Sequence, residues 1–166
     1  MLTKRGGLLF GFIFIASFLP EVVFADNAHF IKGPTASLTN TVDYTVSFKE
    51  AGLGSTPVTY ALTLSTGSTF TFQCFTKNGN TPQGDPNGIS ASGQSTSTTV
   101  TPRNGQVTAS ITLSPEKDGA SCQGNGLKLC LVAVDYENVV FADTTNSLTF
   151  NTSNLSASGL QICTGF

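Results

Sequence analysis

Few side chains in this sequence have the type and spacing to do chemistry. His29 is the one histidine. A Ser-His-Asp triad would need it held rigidly between two partners, yet it stands near the start of the folded part, where segments are usually loose, so no catalytic role is assigned to it. Asp135 and Glu137 are two apart, a spacing that puts both carboxyls on one face of a strand. Glycoside hydrolysis uses such pairs, but a solvated outer face explains the same spacing more simply. Asn78, Asn80, Asp85 and Asn87 supply hard oxygen donors of the kind Ca²⁺ takes. They include one carboxylate and lack the ligand density of an EF-hand loop, so no metal and no other cofactor is expected. Four cysteines remain: Cys74, Cys122, Cys130 and Cys163. Zinc ligation would need closely spaced pairs; Cys122 and Cys130 are eight apart with no histidine near them, which leaves disulfides.

The elements that position these residues read as strands. Val42, Tyr44, Val46 and Phe48 alternate with polar residues, as do Val58–Leu64, Phe70–Cys74 and Val107–Leu113. Period two describes half-buried strands, with threonine suited to the wet face. Leu127–Tyr136 carries apolar residues on both parities, which suggests burial on both sides or a tail laid over one face. Shorter strands are expected at Asn138–Ala142, Leu148–Phe150 and, Thr-rich and at an edge, Ser95–Thr101. Turn residues punctuate at Gly52–Gly54, Thr66–Gly67, Asn104–Gly105, Lys117–Gly119 and Asn125–Gly126. Strands this short and numerous predict an all-β chain, a single antiparallel β-sandwich of Ig-like architecture spanning 26–150; a jelly roll or small barrel is the alternative. Lys77–Gln94 has almost nothing apolar and reads as a long loop. Residues 151–166 read as a Ser-rich tail.

Three cysteine pairings exist on paper. Cys74 ends a strand and Cys122 precedes one, so joining them ties two strand ends at one rim. Cys130 lies mid-strand and Cys163 on the tail, so that bridge staples the tail across the sheet. This pairing is favoured.

Composition narrows the function classes. The chain has 166 residues, 11% of them charged, a net charge of −2, 13 Phe and no Trp. Enough apolar material for a core excludes a disordered chain, and eight thinly spread basic residues leave no nucleic-acid footprint. The start carries Lys4 and Arg5, then the apolar run Leu8–Leu19, then Val23 and Ala25 as small residues before a cleavage point. That order describes a secretory signal peptide over 1–25, and the run is too short for the roughly 20 residues of a membrane span. Cleavage after Ala25 removes Lys4, Arg5 and Glu21 and leaves six basic and nine acidic residues, a net charge of −3. The mature chain is expected to be secreted, extracellular or periplasmic, with no membrane insertion once the leader is removed. Asn151-Thr-Ser153 and Asn154-Leu-Ser156 match the N-glycosylation pattern but read as polar tail.

Three segments carry a family resemblance: Val46–Gly54 (VSFKEAGLG), Phe72-Gln-Cys74 with the Asn/Gly/Pro stretch after it, and Tyr136–Asn146 (YENVVFADTTN). Together they resemble a group of small secreted bacterial all-β proteins with a Cys-loop segment and a DTTN-like strand end. The resemblance implies export and an all-β domain. It further implies that Cys74 and Cys122 are the shared pair and Cys130 and Cys163 an addition. It transfers no catalytic residue.

The function expected is therefore a non-catalytic binding module for a protein or carbohydrate partner. Its contact residues would be Phe75, Asn78, Asn80, Asp85 and Asn87, because loops on a rigid scaffold carry most recognition. Phe75 breaks parity after Cys74, and its ring would serve either as a stacking platform or as a plug against the rim. A structural surface component assembling through sheet edges is the alternative. A hydrolase is disfavoured, because the chain has too few titratable residues for a catalytic cleft.

Overall fold

A computed structural model describes residues 27–79 and 81–163; the leader 1–25 with its cleavage point, and Asn80, lie outside them. The described residues contain eleven strands and no helix. The strands are β1 (His29–Thr39), β2 (Asp43–Ala51), β3 (Val58–Leu64), β4 (Thr69–Thr76), β5 (Pro82–Ser90), β6 (Ser95–Val100), β7 (Gln106–Leu113), β8 (Leu127–Tyr136), β9 (Val139–Asp143), β10 (Leu148–Asn151) and β11 (Leu155–Ile162). They form three antiparallel sheets, ordered β1-β2-β7, β10-β9-β3-β6 and β11-β8-β4-β5.

The two four-stranded sheets are halves of one long ladder. Leu64 faces Val139 on one side of the break, and Thr69 faces Asp135 on the other. The outer strands behave likewise: Thr63 faces Ser95 and Thr69 faces Ser90, while Val140 faces Asn151 and Tyr136 faces Leu155. Every strand keeps its neighbours across a crease at Ser65–Ser68, Ala91–Gln94, Glu137–Asn138 and Thr152–Asn154. Left-handed residues make the bends at Gly67, Gly93 and Asn138. At Gly67 φ is +103°, a conformation that favours glycine, and the Glu137 side chain lies against it.

The crease keeps its backbone polar groups paired, as buried backbone must. Ser68 Oγ accepts from Glu137 N and donates to Glu137 O, both at 2.9 Å, so one hydroxyl serves both ladder positions. Leu64 N donates to Gln94 O, Gly93 N to Leu64 O and Ala91 N to Ser68 O, at 2.8–2.9 Å.

The three-stranded sheet is the second layer of the sandwich, and the core lies between the two. Phe48 meets Tyr60 at 4.4 Å and Phe141 at 4.7 Å between ring centroids, and Tyr44 meets Tyr136 at 4.9 Å. Each tyrosine hydroxyl in this core has an acceptor, which offsets the cost of burying it. Tyr136 donates to Val42 O at 2.6 Å, Tyr44 to Ser153 O at 2.5 Å and Tyr60 to Glu50 Oε2 at 2.8 Å. Two disulfides join Cys74 to Cys122 and Cys130 to Cys163, the favoured pairing.

Three sequence expectations need correction. The loop expected over Lys77–Gln94 is mostly strand β5, paired to β4 through the backbone. Gly- and Pro-rich sequence disguises it, because an edge strand tolerates prolines that a central one cannot. The expected tail at 151–166 contains strand β11, paired to β8 and tied to it by Cys163. The double parity of Leu127–Tyr136 comes from a bulge. Ala133 faces Thr71 and Leu131 faces the next residue, Phe72, so Val132 is extra and the buried parity changes there.

Candidate functional site

β4 and β5 meet through a turn at Thr76–Thr81, where Thr76 N donates to Thr81 O at 2.9 Å. β5 has a neighbour on one side only, and eight of its nine residues are exposed. Its ladder is interrupted between Asn87↔Phe72 and Gln83↔Cys74; within that bulge Gln73 Nε2 donates to Gly84 O at 3.0 Å. Asp85 and Asn87 stand exposed on this strand, and Asn78 is exposed in the turn. Asn87 lies opposite Phe72, several rungs from that turn, so the strand spreads the oxygen donors along itself. Among the described residues no three His, Cys, Asp or Glu side chains form a metal-binding group.

Phe75 departs from the other proposed contact residues. It is 8% exposed, so its ring is a plug and not an open platform. Phe75 and Cys130 are both buried outside the main core cluster. Cys130 is bonded to Cys163 at the end of β11, and Gln161 Nε2 on that strand donates to Gly79 O in the β4–β5 turn.

The pair expected at Asp135 and Glu137 does not share a strand face. Asp135 pairs with Thr69 and Ser156 inside the sheet, whereas Glu137 falls in the crease beside Gly67. The structure brings two other carboxyls together. Glu50 and Asp143 are each 0% exposed and face the core from opposite layers. Asp143 is held by its own turn: Oδ1 accepts from Thr145 N and Asn146 N at 2.8 and 2.9 Å, and Oδ2 from Asn146 Nδ2 at 2.6 Å.

Glu50 Oε2 accepts from Tyr60, while Oε1 has no donor facing it. Burial drives the Glu50 carboxyl up to about 7, and the adjacent Asp143 adds to the rise; the Tyr60 hydroxyl and, more weakly, His29 oppose it. Two acceptor-only carboxylates cannot bond each other, but a proton on Glu50 gives the pair a donor. Burial and the nearby Glu50 also push the Tyr60 hydroxyl up. Sealed from solvent, this cluster locks β2 to β3 and β9 and touches no solute. No candidate drawn from the sequence includes it, although parity offered a signal: Glu50 continues Tyr44, Val46 and Phe48, and Asp143 continues Val139 and Phe141.

A surface groove of about 430 Å³ lies where the β6–β7 hairpin crosses between layers, lined by residues that include Lys49, Thr101, Arg103, Gln106 and Thr108. With this geometry in hand, no family model, curated protein or solved structure matches the chain.

Proposed function

We propose that the chain is a secreted, non-catalytic recognition module that presents the free edge of its long sheet, chiefly β5, to a protein or carbohydrate partner. One observation carries this: nine residues and a hairpin are spent on a strand that is almost wholly exposed and has one neighbour. The two central strands of β5's half of the sheet, β4 and β8, each carry a disulfide cysteine, which supports a rigid scaffold holding a polar contact surface. Disulfides belong to oxidising compartments; with the leader-like start they support export, and they agree with the resemblance to small secreted bacterial proteins. Counting β3 with β4, β5 with β6, β8 with β9 and β10 with β11 leaves seven long strands, three against four. That arrangement supports reading the sandwich as Ig-like. A non-catalytic role is supported by the sealing of the Glu50–Asp143 carboxyl pair from solvent.

The experiment uses the mature chain from Asp26, co-sedimented with insoluble polysaccharides and envelope fractions of its source. Replacing Asp85 and Asn87 by alanine should abolish retention while leaving the fold intact by circular dichroism. Retention unchanged by both replacements overturns the proposal.

A second reading is favoured by β6. β5 is guarded against strand addition by Pro82, Pro86 and its bulge, whereas Ser95–Val100 has no proline, charge or bulge. Self-assembly through that edge would appear as concentration-dependent sedimentation, which a plain binding module does not show.

A further inference from the structure

We propose that the groove at the β6–β7 hairpin binds the acidic group of an anionic sugar, a uronate or a sulfate ester. This rests on the reading of the chain as a recognition module but places a second contact at the opposite end of the β5–β6 edge.

The charge distribution is the first reason. Lys32 on β1 and Lys49 on β2 are directly opposed in the ladder, and Lys49 is opposed on its other side by Thr108 on β7. Like charges directly opposite are destabilising, and sheets usually place a counter-charge there. None is present: among the described residues, Lys32, Lys49 and Arg103 have no ion pair and no side-chain hydrogen bond. Arg103 and Lys49 line the same groove, and no carboxylate lines it. Glu50, the acid nearest in sequence, faces the core. Two of the six basic residues after Ala25 therefore line the groove, and a third, Lys32, is the ladder partner of Lys49, on a chain whose net charge there is −3. An anion seated among them relieves the repulsion.

Preorganisation is the second reason. Asn104 and Gly105 both have positive φ, +52° and +70°, the two-residue turn that Asn-Gly favours in hairpins. Arg103 and Gln106 flank it and exchange backbone hydrogen bonds at 2.9 and 3.1 Å. Leu53 N donates to Gly105 O at 3.0 Å, and a Cβ on Gly105 would come within 2.8 Å of Leu53 O. The turn is thus pinned to the β2–β3 connection, and Arg103 leaves a fixed backbone.

The lining chemistry selects the class of ligand. A guanidinium fork fits a carboxylate or sulfate through two parallel hydrogen bonds, and the Lys49 ammonium adds a point charge. Thr101, Thr108 and Gln106 offer hydroxyl and amide groups for sugar hydroxyls, while Val100 and Val107 provide an apolar floor. A volume of about 430 Å³ lies within the range of small-ligand sites.

The test is isothermal calorimetry on the oxidised mature protein with three probes: an oligogalacturonate, a sulfated oligosaccharide of similar length, and a neutral oligosaccharide. The proposal expects one or both charged probes to bind, the neutral one not to, and the stronger of the two to identify the acid group. Affinity should fall about tenfold or more in R103Q and K49Q, stay unchanged in K128Q, and weaken between about 0.15 M and 1 M salt. Binding of the neutral probe as tight as the charged ones, charged-probe binding unchanged in R103Q, or no binding by any probe overturns it. The protein with Asp85 and Asn87 replaced is titrated in parallel. If the groove fails while that pair still governs retention on envelope fractions, the recognition module stands without this site; if both fail, the module reading falls too.

Discussion

The two halves of the long sheet are held by different means. The half built from β3, β6, β9 and β10 contains no cysteine, and its inward side carries Tyr60 and Phe141 against Phe30 and Phe48 from the other layer. It also holds the buried Glu50–Tyr60–Asp143 cluster. The half built from β4, β5, β8 and β11 contains both disulfides, and it too buries Phe70, Phe72 and Tyr136, the last against Tyr44 of the other layer. Large apolar side chains thus pack across both halves, and both carry exposed edge strands, β6 and β10 in one and β5 and β11 in the other. The difference is covalent: only the second half is cross-linked, at β4, β8 and the end of β11, beside the longer edge strands, as small exported domains tend to be.

Variants can separate these two modes. The largest effect is expected from Phe141→Ala, which removes the ring that meets three others. It should cost about 3–5 kcal/mol in urea unfolding, whether or not reductant is present. Removing the Cys130–Cys163 bridge by a double serine substitution should cost about 2–5 kcal/mol, with the loss centred on β11. An equal loss of protection in β3 and β9 would show that the halves are not independent.

Glu50 gives a pH signature confined to the packed half. Its carboxyl titrates near 4.5 when unfolded and about 7 when folded, so the folded state holds the extra proton between those values. Stability should therefore be greatest below pH 4.5, fall by about 3 kcal/mol as pH rises to 7, and level off above. Glu50→Gln mimics the protonated side chain and should flatten that part of the profile; an unchanged slope would place the titration elsewhere. The smallest effect is at the crease, where Ser68→Ala strips both hydrogen bonds to Glu137. About 1–2 kcal/mol should be lost, read as a lowered urea midpoint with unchanged slope.

What the sequence revealed follows the same division. Strands that bury one face announce themselves: Tyr44–Phe48, Val58–Leu64, Phe70–Cys74 and Val107–Leu113 all lie within strands of the sandwich, and Val42 stands in the turn just before β2. β1, β5 and β11 are edge strands whose residues are mostly exposed. Backbone pairing holds β5 and leaves no period in its side-chain polarity, whereas β1 and β11 turn Ala36, Leu38, Leu155, Ala157, Leu160 and Ile162 to the core but register shifts break up the alternation. The cysteines were legible because strand ends and a mid-strand position limit which bridges can form. The groove was not, since Lys32, Lys49 and Arg103 are brought together by ladder register and a hairpin, neither visible in their spacing along the chain. Phe75 shows the limit of parity: it falls on the opposite parity to Phe70 and Phe72 and outside the main core cluster, yet the ring is buried.

The direct test of this division is hydrogen–deuterium exchange followed by peptide mapping, on the oxidised protein and after mild reduction. Selective loss of protection in β5 and β11, with β3 and β9 still protected, is the predicted result. Protection lost together in all four strands would contradict it, and would mean that the disulfides hold the whole sandwich and not one half.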